Sequence, residues 1–361
     1  MSTKIISVVG ARPQFVKLAP VAKAMAQAGL NHLIVHSGQH YDPTMSGAFF
    51  ADLAIPAPDV NLEVGSASHG WQTGAMLGPL EDVFAAERPD WVLVYGDTNT
   101  TLAAALAAVK LGRPVAHLEA GLRSGNRAMP EEHNRVLTDH AADLLLAPTE
   151  VAMGHLAAEG LVGRALRVGD VMTDVLEAVA DAVRPGWRAR RGGAGPASGG
   201  QGPYLVATIH RPSNTDNAER LDAIVQALAE LPLEVRLAAH PRLRAKAAAL
   251  GVELARGSVK LVEPLPYPGL VAAVIDSVGV VTDSGGLQKE AYLLGRLCTT
   301  VRTETEWVET LQDGWNALTP DPAAISSAAT RLAPAAAPGQ PYGDGRAAAR
   351  VVAALAGDGT A

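Results

Sequence analysis

Short, uninterrupted apolar runs alternate with longer Ala/Leu-rich stretches along most of this chain. The first runs are Ile5–Val9, Leu33–His36, Trp91–Tyr95, Val115–Leu118 and Leu144–Ala147. Most are followed by a stretch with helical spacing, such as Phe15–Ala28 or Thr101–Leu111. A strand that is apolar on both faces must be covered on both, and helical crossovers between such strands make the sheet parallel. The pattern therefore specifies an α/β fold. Gly29 and Gly160 stand just past helical stretches, at Val16–Ala28 and Val151–Glu159, where a C-cap belongs.

The alternation resumes with Tyr204–Thr208, Val235–Ala238, Val259–Val262 and Val278–Thr282. At 361 residues the chain exceeds what one core ordinarily holds, so two α/β halves are expected, although no sequence repeat relates them. Between Arg184 and Pro203 the period stops in a Gly-, Pro- and Arg-rich stretch, which reads as a mobile loop near the start of the second half. The last helical stretch, Ala347–Leu355, is Ala/Val-rich and needs a partner surface.

Several function classes are set aside by composition. The chain is 48% hydrophobic and 19% charged, a globular rather than a disordered balance. A net charge of -7 with no long Lys/Arg run argues against a nucleic-acid partner, while isolated cations remain able to hold a small anion. One cysteine, Cys298, forms no internal disulfide and no multi-thiolate metal site, and it reads as a packed thiol. No metal site is expected. No apolar run approaches the ~18 residues of a membrane span, and the start of the sequence enters a strand without the apolar stretch and cleavage site of a signal peptide, so none is expected. A cytoplasmic protein with no membrane partner is the expectation.

Ligands of open parallel sheets bind beyond the carboxyl ends of the strands, and the residues there are polar and specific. Gly10-Ala11-Arg12-Pro13-Gln14-Phe15-Val16-Lys17 follows the first strand, a setting that suits an anion against backbone amides, with Arg12 and Lys17 adding charge. Neither a Walker loop nor a dinucleotide fingerprint is present. Asp97 follows Trp91–Tyr95, where a helix cap is the plain alternative to a catalytic role. Glu119 leaves the next strand beside Gly121 and Arg123. Glu131 and Glu132 open a helix behind Pro130, where acidic residues also favour the helix dipole. Convergent carboxylates are what proton removal and return on opposite faces of one carbon require. In the second half, His210-Arg211 and His240-Pro241-Arg242 end successive strands and read as a polyanion site. Thr282-Asp283-Ser284-Gly285-Gly286 then ends a strand and opens a helix, offering hydroxyl and amide donors at its positive end. Glu290, roughly one turn along that helix, is placed to take the hydroxyls of a ribose.

In this order GARPQFVKLAP, SGQHYD, YGDTNTTLAA, HLEAGLRSGNRAMPEEHNR, TDH, APTE, TIHRPSNTD, HPR, TDSGGLQKEA and PYGDG resemble the non-hydrolysing UDP-N-acetylglucosamine 2-epimerases over nearly the whole chain. The resemblance implies a glycosyltransferase-B fold: two Rossmann-like domains with the active site in the cleft between them. The expected extents are 1–169 for the N-terminal domain with the carboxylates, 170–345 for the UDP-binding domain, and 346–361 for a helix returning to the first. It also implies a homodimer, a UDP-sugar substrate and no organic cofactor. By position, Asp97, Glu119 and Glu131 resemble the acid/base carboxylates, with His210 assisting at the phosphate side. Arg12, His240, Ser284, Gly285, Gly286 and Glu290 resemble the residues that hold UDP. Lys17, Arg123, Gln39 and His40 resemble residues that support the substrate.

Two stretches depart from the common bacterial pattern. Gln39-His40 is followed by Tyr41-Asp42 instead of Arg-x-Met, which puts regulation by a second UDP-sugar in doubt. Thr305-Glu306-Trp307-Val308-Glu309 replaces Thr-Glu-Arg-Pro-Glu and removes one arginine from the UDP site. These variants are similar to the branch acting on UDP-2,3-diacetamido-2,3-dideoxy-glucuronate, whose uronate would call for a further cation, with Arg127 and Arg302 as candidates. The expected reaction converts UDP-GlcNAc to UDP-ManNAc through a 2-acetamidoglucal. The C2 hydrogen is not beside a carbonyl, and no nicotinamide fingerprint supports an oxidative route, so departure of UDP opens the way. Which carboxylate serves which face of C2 stays open. The alternatives are the same inversion on the diacetamido-uronate, a hydrolysing epimerase, and a nucleotide-sugar sensor without catalysis.

Overall fold

The computed structural model describes residues 3–38, 55–191 and 202–357. In chain order its first elements are β1 (Lys4–Val9), α1 (Arg12–Gln27), β2 (Asn31–His36), β3 (Val60–Asn61), α2 (His69–Glu87), β4 (Trp91–Tyr95) and α3 (Asn99–Lys110). There follow β5 (Val115–Leu118), α4 (Pro130–Ala141), β6 (Leu144–Ala147), α5 (Glu150–Ala158), β7 (Ala165–Arg167) and α6 (Val171–Val183). The later chain forms β8 (Tyr204–Thr208), α7 (Pro212–Thr215), α8 (Ala218–Ala229), β9 (Glu234–Ala238), α9 (Pro241–Leu250) and β10 (Val259–Val262). Then come α10 (Tyr267–Asp276), β11 (Gly279–Thr282), α11 (Gly285–Leu293), β12 (Leu297–Thr300), α12 (Glu309–Gln312), β13 (Asn316–Leu318), α13 (Ile325–Ala329) and α14 (Ala347–Ala356).

These elements form two compact units, Met1–Val175 with Pro341–Ala361, and Leu176–Gln340. The first holds a parallel sheet in the order β3-β2-β1-β4-β5-β6-β7, and the second one in the order β10-β9-β8-β11-β12-β13. Each order reverses direction once, between β1 and β4 and between β8 and β11. At such a switch point the loops diverge to opposite faces of the sheet and leave a crevice beyond the strand ends. The polar strand-end segments fall there: Gly10–Lys17 and Gly96–Thr101 in one unit, Thr208–Pro212 and Asp283–Glu290 in the other.

Both faces of the first sheet are covered. Ile5, Val9, Leu93 and Leu118 pack with Leu18, Val21 and Met25 of α1 and Val351, Val352 and Leu355 of α14. Ile6, Val8, Val92 and Val94 face Met76, Leu80 and Phe84 of α2 and the alanines of α3. The final helix thus finds its partner surface in the core of the first unit. Asp174 of α6 fastens its start, accepting the Ala347 and Ala348 amides at 3.0 and 2.8 Å. A carboxylate at a helix N-terminus meets both unpaired amides and the positive end of the dipole.

Part of the stretch expected to be a mobile loop is held. Arg184 donates Nε to Asp276 at 3.0 Å, Trp187 is buried with its indole N–H on Asp181 at 2.9 Å, and Arg188 pairs with Glu177. The Gly-rich core of that stretch, 192–201, lies outside the described residues. Cys298 is packed within β12, and burial pushes its thiol up to about 12.

Leu355 is buried, so Leu355→Ala leaves a cavity against α1 and should destabilise the first unit by about 2–5 kcal/mol. Urea unfolding followed by circular dichroism measures this; an unchanged midpoint would show that the last helix is not docked.

Candidate functional site

The first unit gathers its charges at the ends of β1, β4 and β5. Glu119 follows β5 with φ +74°, a left-handed conformation that costs an L-residue on the order of 1–2 kcal/mol, so neighbouring contacts must impose it. Its carboxylate is paired with the Lys17 ammonium of α1, both side chains being largely buried. Burial alone would lower Lys17. The Glu119 carboxylate, with Asp97 and Asp170 beyond it, outweighs burial and holds the ammonium above its ordinary value. Gly96 abuts this pair: a Cβ there would stand 3.1 Å from Glu119 Oε2 and 3.2 Å from Lys17 Nζ.

Asp97 does not cap the helix behind it. Thr98 does, accepting the Thr101 amide, which leaves the Asp97 carboxylate free to pair with Arg135 of α4. The guanidinium of Arg135 also reaches Glu132 at 2.8 Å. Burial would lower Arg135, but Asp97, Glu132 and the more distant Glu119 together raise it, so its charge is secured by the carboxylates around it. Asp97, Glu119, Lys17 and Arg135 therefore form one electrostatic cluster. Glu132 is buried, which would raise it, but the Ser124 and Gly125 donors and Arg135 hold it below its ordinary value. It anchors the Ser124–Gly125 turn. Glu131, half-buried in the first turn of α4, makes no hydrogen bond or ion pair with a described residue.

Two expectations change here. The Gly10 and Ala11 amides are not open to an anion, since Gln14 Oε1 accepts both, at 2.8 and 3.0 Å, while Gln14 Nε2 reaches the Tyr95 carbonyl. Arg123 is engaged on all sides: Glu159 at 2.7 and 2.9 Å, Asp139 at 2.7 Å and the Leu122 carbonyl. Its donors serve the protein rather than a ligand. Gln39 and His40 lie outside the described residues, and Arg12 begins α1.

In the second unit Asp283, fully buried behind β11, organises the end of β8. It accepts the His210 and Arg211 amides, Asn214 Nδ2 and His210 Nδ1, the last at 3.0 Å. Burial would raise Asp283; the bonds from His210, Asn214 and the Arg211 amide overcome it and hold the carboxyl below its ordinary value. His210 is thereby oriented while remaining 55% exposed. His240 caps α9, accepting the Arg242 amide at 3.3 Å on Nδ1, which turns Nε2 outward. Both histidines line a cavity of about 430 Å³ with Thr215, Arg242 and Lys246.

Ser284 caps α11, accepting the Leu287 amide, and Gly285 and Gly286 supply first-turn amides that have no partner within the helix. At 285 a Cβ would meet Glu306 Oε1 at 2.4 Å, so a larger residue would displace the end of that side chain. Arg302 pairs with that same Glu306 at 3.0 Å, and Arg127 is exposed. Glu290 is raised by burial, and the Tyr267 hydroxyl donates to it at 3.0 Å. Sequence reasoning missed Arg135, Asp283 and Tyr267. The first had a signal, since it lies four residues after Glu131 and three after Glu132 on one helix.

The profile of the family described as UDP-N-acetylglucosamine 2-epimerase matches residues 23–356. A UDP-2,3-diacetamido-2,3-dideoxy-D-glucuronate 2-epimerase of Pseudomonas aeruginosa is 45% identical, over 98% of this chain and 99% of its own. A UDP-N-acetylglucosamine 2-epimerase of Methanocaldococcus jannaschii is 39% identical over 88% of each. The crystal structure of a Methanocaldococcus jannaschii UDP-GlcNAc 2-epimerase with UDP-GlcNAc and UDP superposes with a TM-score of 0.79 at 35% identity, covering 98% of this chain and 99% of that one. That of the Neisseria meningitidis enzyme bound to UDP-GlcNAc gives 0.82 at 28% identity, covering 98% and 99%. The two parallel sheets with interleaved helices are of glycosyltransferase-B type, and this chain is a member of the UDP-N-acetylglucosamine 2-epimerase family, an isomerase.

Proposed function

We propose that the chain inverts C2 of a UDP-linked 2-acetamido sugar, UDP-GlcNAc to UDP-ManNAc, without releasing the free sugar. The observation that carries this reading is the cluster of Asp97 and Glu119 with Lys17 and Arg135, a half-buried and a largely buried carboxylate held by cations at a sheet switch point. The C1–O bond breaks first, its electron pair leaving on the β-phosphate of UDP. A carboxylate takes the C2 proton, and the C1=C2 double bond of a 2-acetamidoglucal forms. An acid then returns a proton to the opposite face of C2 while the phosphate oxygen bonds C1 again. Fixed cations lower the cost of the departing charge because they need no reorganisation. Lys17 and Arg135 hold the carboxylates in place, and Glu131, which has no ion-pair or hydrogen-bond partner among the described residues, is the third acid/base group. In the second unit His210, His240 and the Ser284–Gly286 amides hold the diphosphate, with Glu290 on the ribose; Arg12 is a further UDP-binding residue as the resemblance implies. Arg123 is given no substrate contact, because Asp139 and Glu159 engage it.

The second reading keeps the chemistry and changes the sugar to the 2,3-diacetamido-glucuronate. It is favoured by the Pseudomonas aeruginosa relative, which matches end to end at 45% identity. The protein is further proposed to be a cytoplasmic homodimer, as the resemblance implies; among the described residues no helix is long and apolar enough to cross a membrane. Sedimentation should give about twice the 37.3 kDa of one chain, and a single-chain mass would overturn the dimer.

Proton NMR in D₂O with each UDP-sugar tests the reaction. Inverted product carrying deuterium at C2, with UDP still attached, is expected on one of them. Free sugar appearing in step with UDP identifies a hydrolysing enzyme, and no C2 exchange on either ends the reading. Asp97→Asn, Glu119→Gln and Glu131→Gln should each lower turnover by about 10²- to 10⁴-fold while UDP binding persists. Wild-type turnover in all three would remove the carboxylates from the mechanism.

A further inference from the structure

His117 is fully buried in β5, two residues before Glu119, and both its ring nitrogens are engaged. Nδ1 lies 2.6 Å from Asp139 Oδ1, and Nε2 lies 2.7 Å from the carbonyl oxygen of Gly96. Gly96 is the residue before Asp97. Asp139, itself fully buried on α4, uses its other oxygen to accept the Gly121 amide at 3.0 Å and to pair with Arg123 at 2.7 Å. Gly121 is two residues after Glu119. One imidazole and one carboxylate thus join the turn that carries Asp97 to the turn that carries Glu119.

Both turns need holding. Gly96, Glu119 and Gly121 all have left-handed φ, at +62°, +74° and +82°. Gly121 is pressed so close to α5 that a Cβ would stand 2.5 Å from the Ala152 carbonyl oxygen. A carbonyl oxygen only accepts. Burial would raise the Asp139 carboxyl, but His117 and then Arg123 hold it below its ordinary value, while its other oxygen also accepts the Gly121 amide. Each ring nitrogen meets an oxygen, Nδ1 that of the Asp139 carboxyl and Nε2 that of the Gly96 carbonyl, a span that no apolar residue and no single amide nitrogen reproduces.

We infer that His117, locked against Asp139, is a positioning residue that sets the spacing and orientation of the Asp97 and Glu119 carboxylates. Neither residue touches substrate. The inference rests on the proposed role of those two carboxylates. Displacing a reacting group by about 1 Å costs on the order of 10²-fold in rate, so the loss should appear in turnover and not in nucleotide binding.

The test uses the full chain with His117→Gln, and with Asp139→Asn as the variant that best preserves shape should the first fail to fold. Expected for each folded variant is a fall in kcat of about 10- to 100-fold with KM and UDP affinity within about threefold of wild type. Crystal structures should show the Gly96 carbonyl displaced and Glu119 out of the left-handed region. Wild-type kcat per folded molecule, or unmoved Gly96 and Glu119 in the variants, overturns the inference, even where melting temperature falls. If the wild-type protein inverts neither sugar, the proposed function fails, and the variant structures alone decide whether His117 holds the two turns.

Discussion

All strands in each sheet run the same way, so every strand leaves the core at one edge and the two buried faces are lined mostly by apolar side chains. Polar residues are thereby driven to the strand ends, where the switch point opens a crevice. In the first unit this puts Lys17, Asp97 and Glu119, which are far apart in sequence, within one electrostatic neighbourhood. The second sheet repeats the arrangement with a different set of groups. Asp283 gathers the His210 and Arg211 amides beside a cavity whose rim is cationic. One topology, used twice, separates a carboxylate-rich edge from a cation- and amide-rich one.

Collecting charge where water is scarce has a cost that sets the local design. A buried carboxylate without a partner is strongly unfavourable, so each one must find donors or a cation. Glu119 has Lys17, Asp97 has Arg135, Glu132 has Arg135 and the Ser124–Gly125 turn, and Asp283 has four donors. Arg135 serves two carboxylates at once, which binds α4 to the end of β4. Glu131 stands apart, half-buried and with no such partner among the described residues.

Much of the framework was legible because continuous apolar runs leave little choice of structure. The runs at Ile5–Val9, Trp91–Tyr95, Tyr204–Thr208 and Val278–Thr282 are strands at nearly those limits. Helix α2 escaped notice because Gly70, Gly74, Gly78 and Pro79 mask its period; its buried stripe of Gln72, Met76, Leu80 and Phe84 repeats every four residues all the same. The short strands β3, β7 and β13 carry too few residues to show a pattern. Helix α1 begins at Arg12 because Pro13 suits a first turn and Gln14 binds back over its start. Site residues were legible by type and place, but partners were not. The sequence does not show that Thr98 takes the cap and frees Asp97, or that Asp139 and Glu159 engage Arg123. Those outcomes depend on which side chains tertiary packing brings together.

The helix Ala347–Ala356 completes a hydrophobic layer begun by β1 and α1, and Asp174 fastens its first turn. The unit Leu176–Gln340 is consequently an insertion within the unit that surrounds it. On the ribosome, the segment that closes the first core is the last of the two units to emerge, after every residue of the inserted one. The inserted unit can close as soon as its own chain is out, whereas its host waits with part of an apolar face uncovered. Synthesis order and folding order are therefore opposed in this protein: the unit that begins first finishes last.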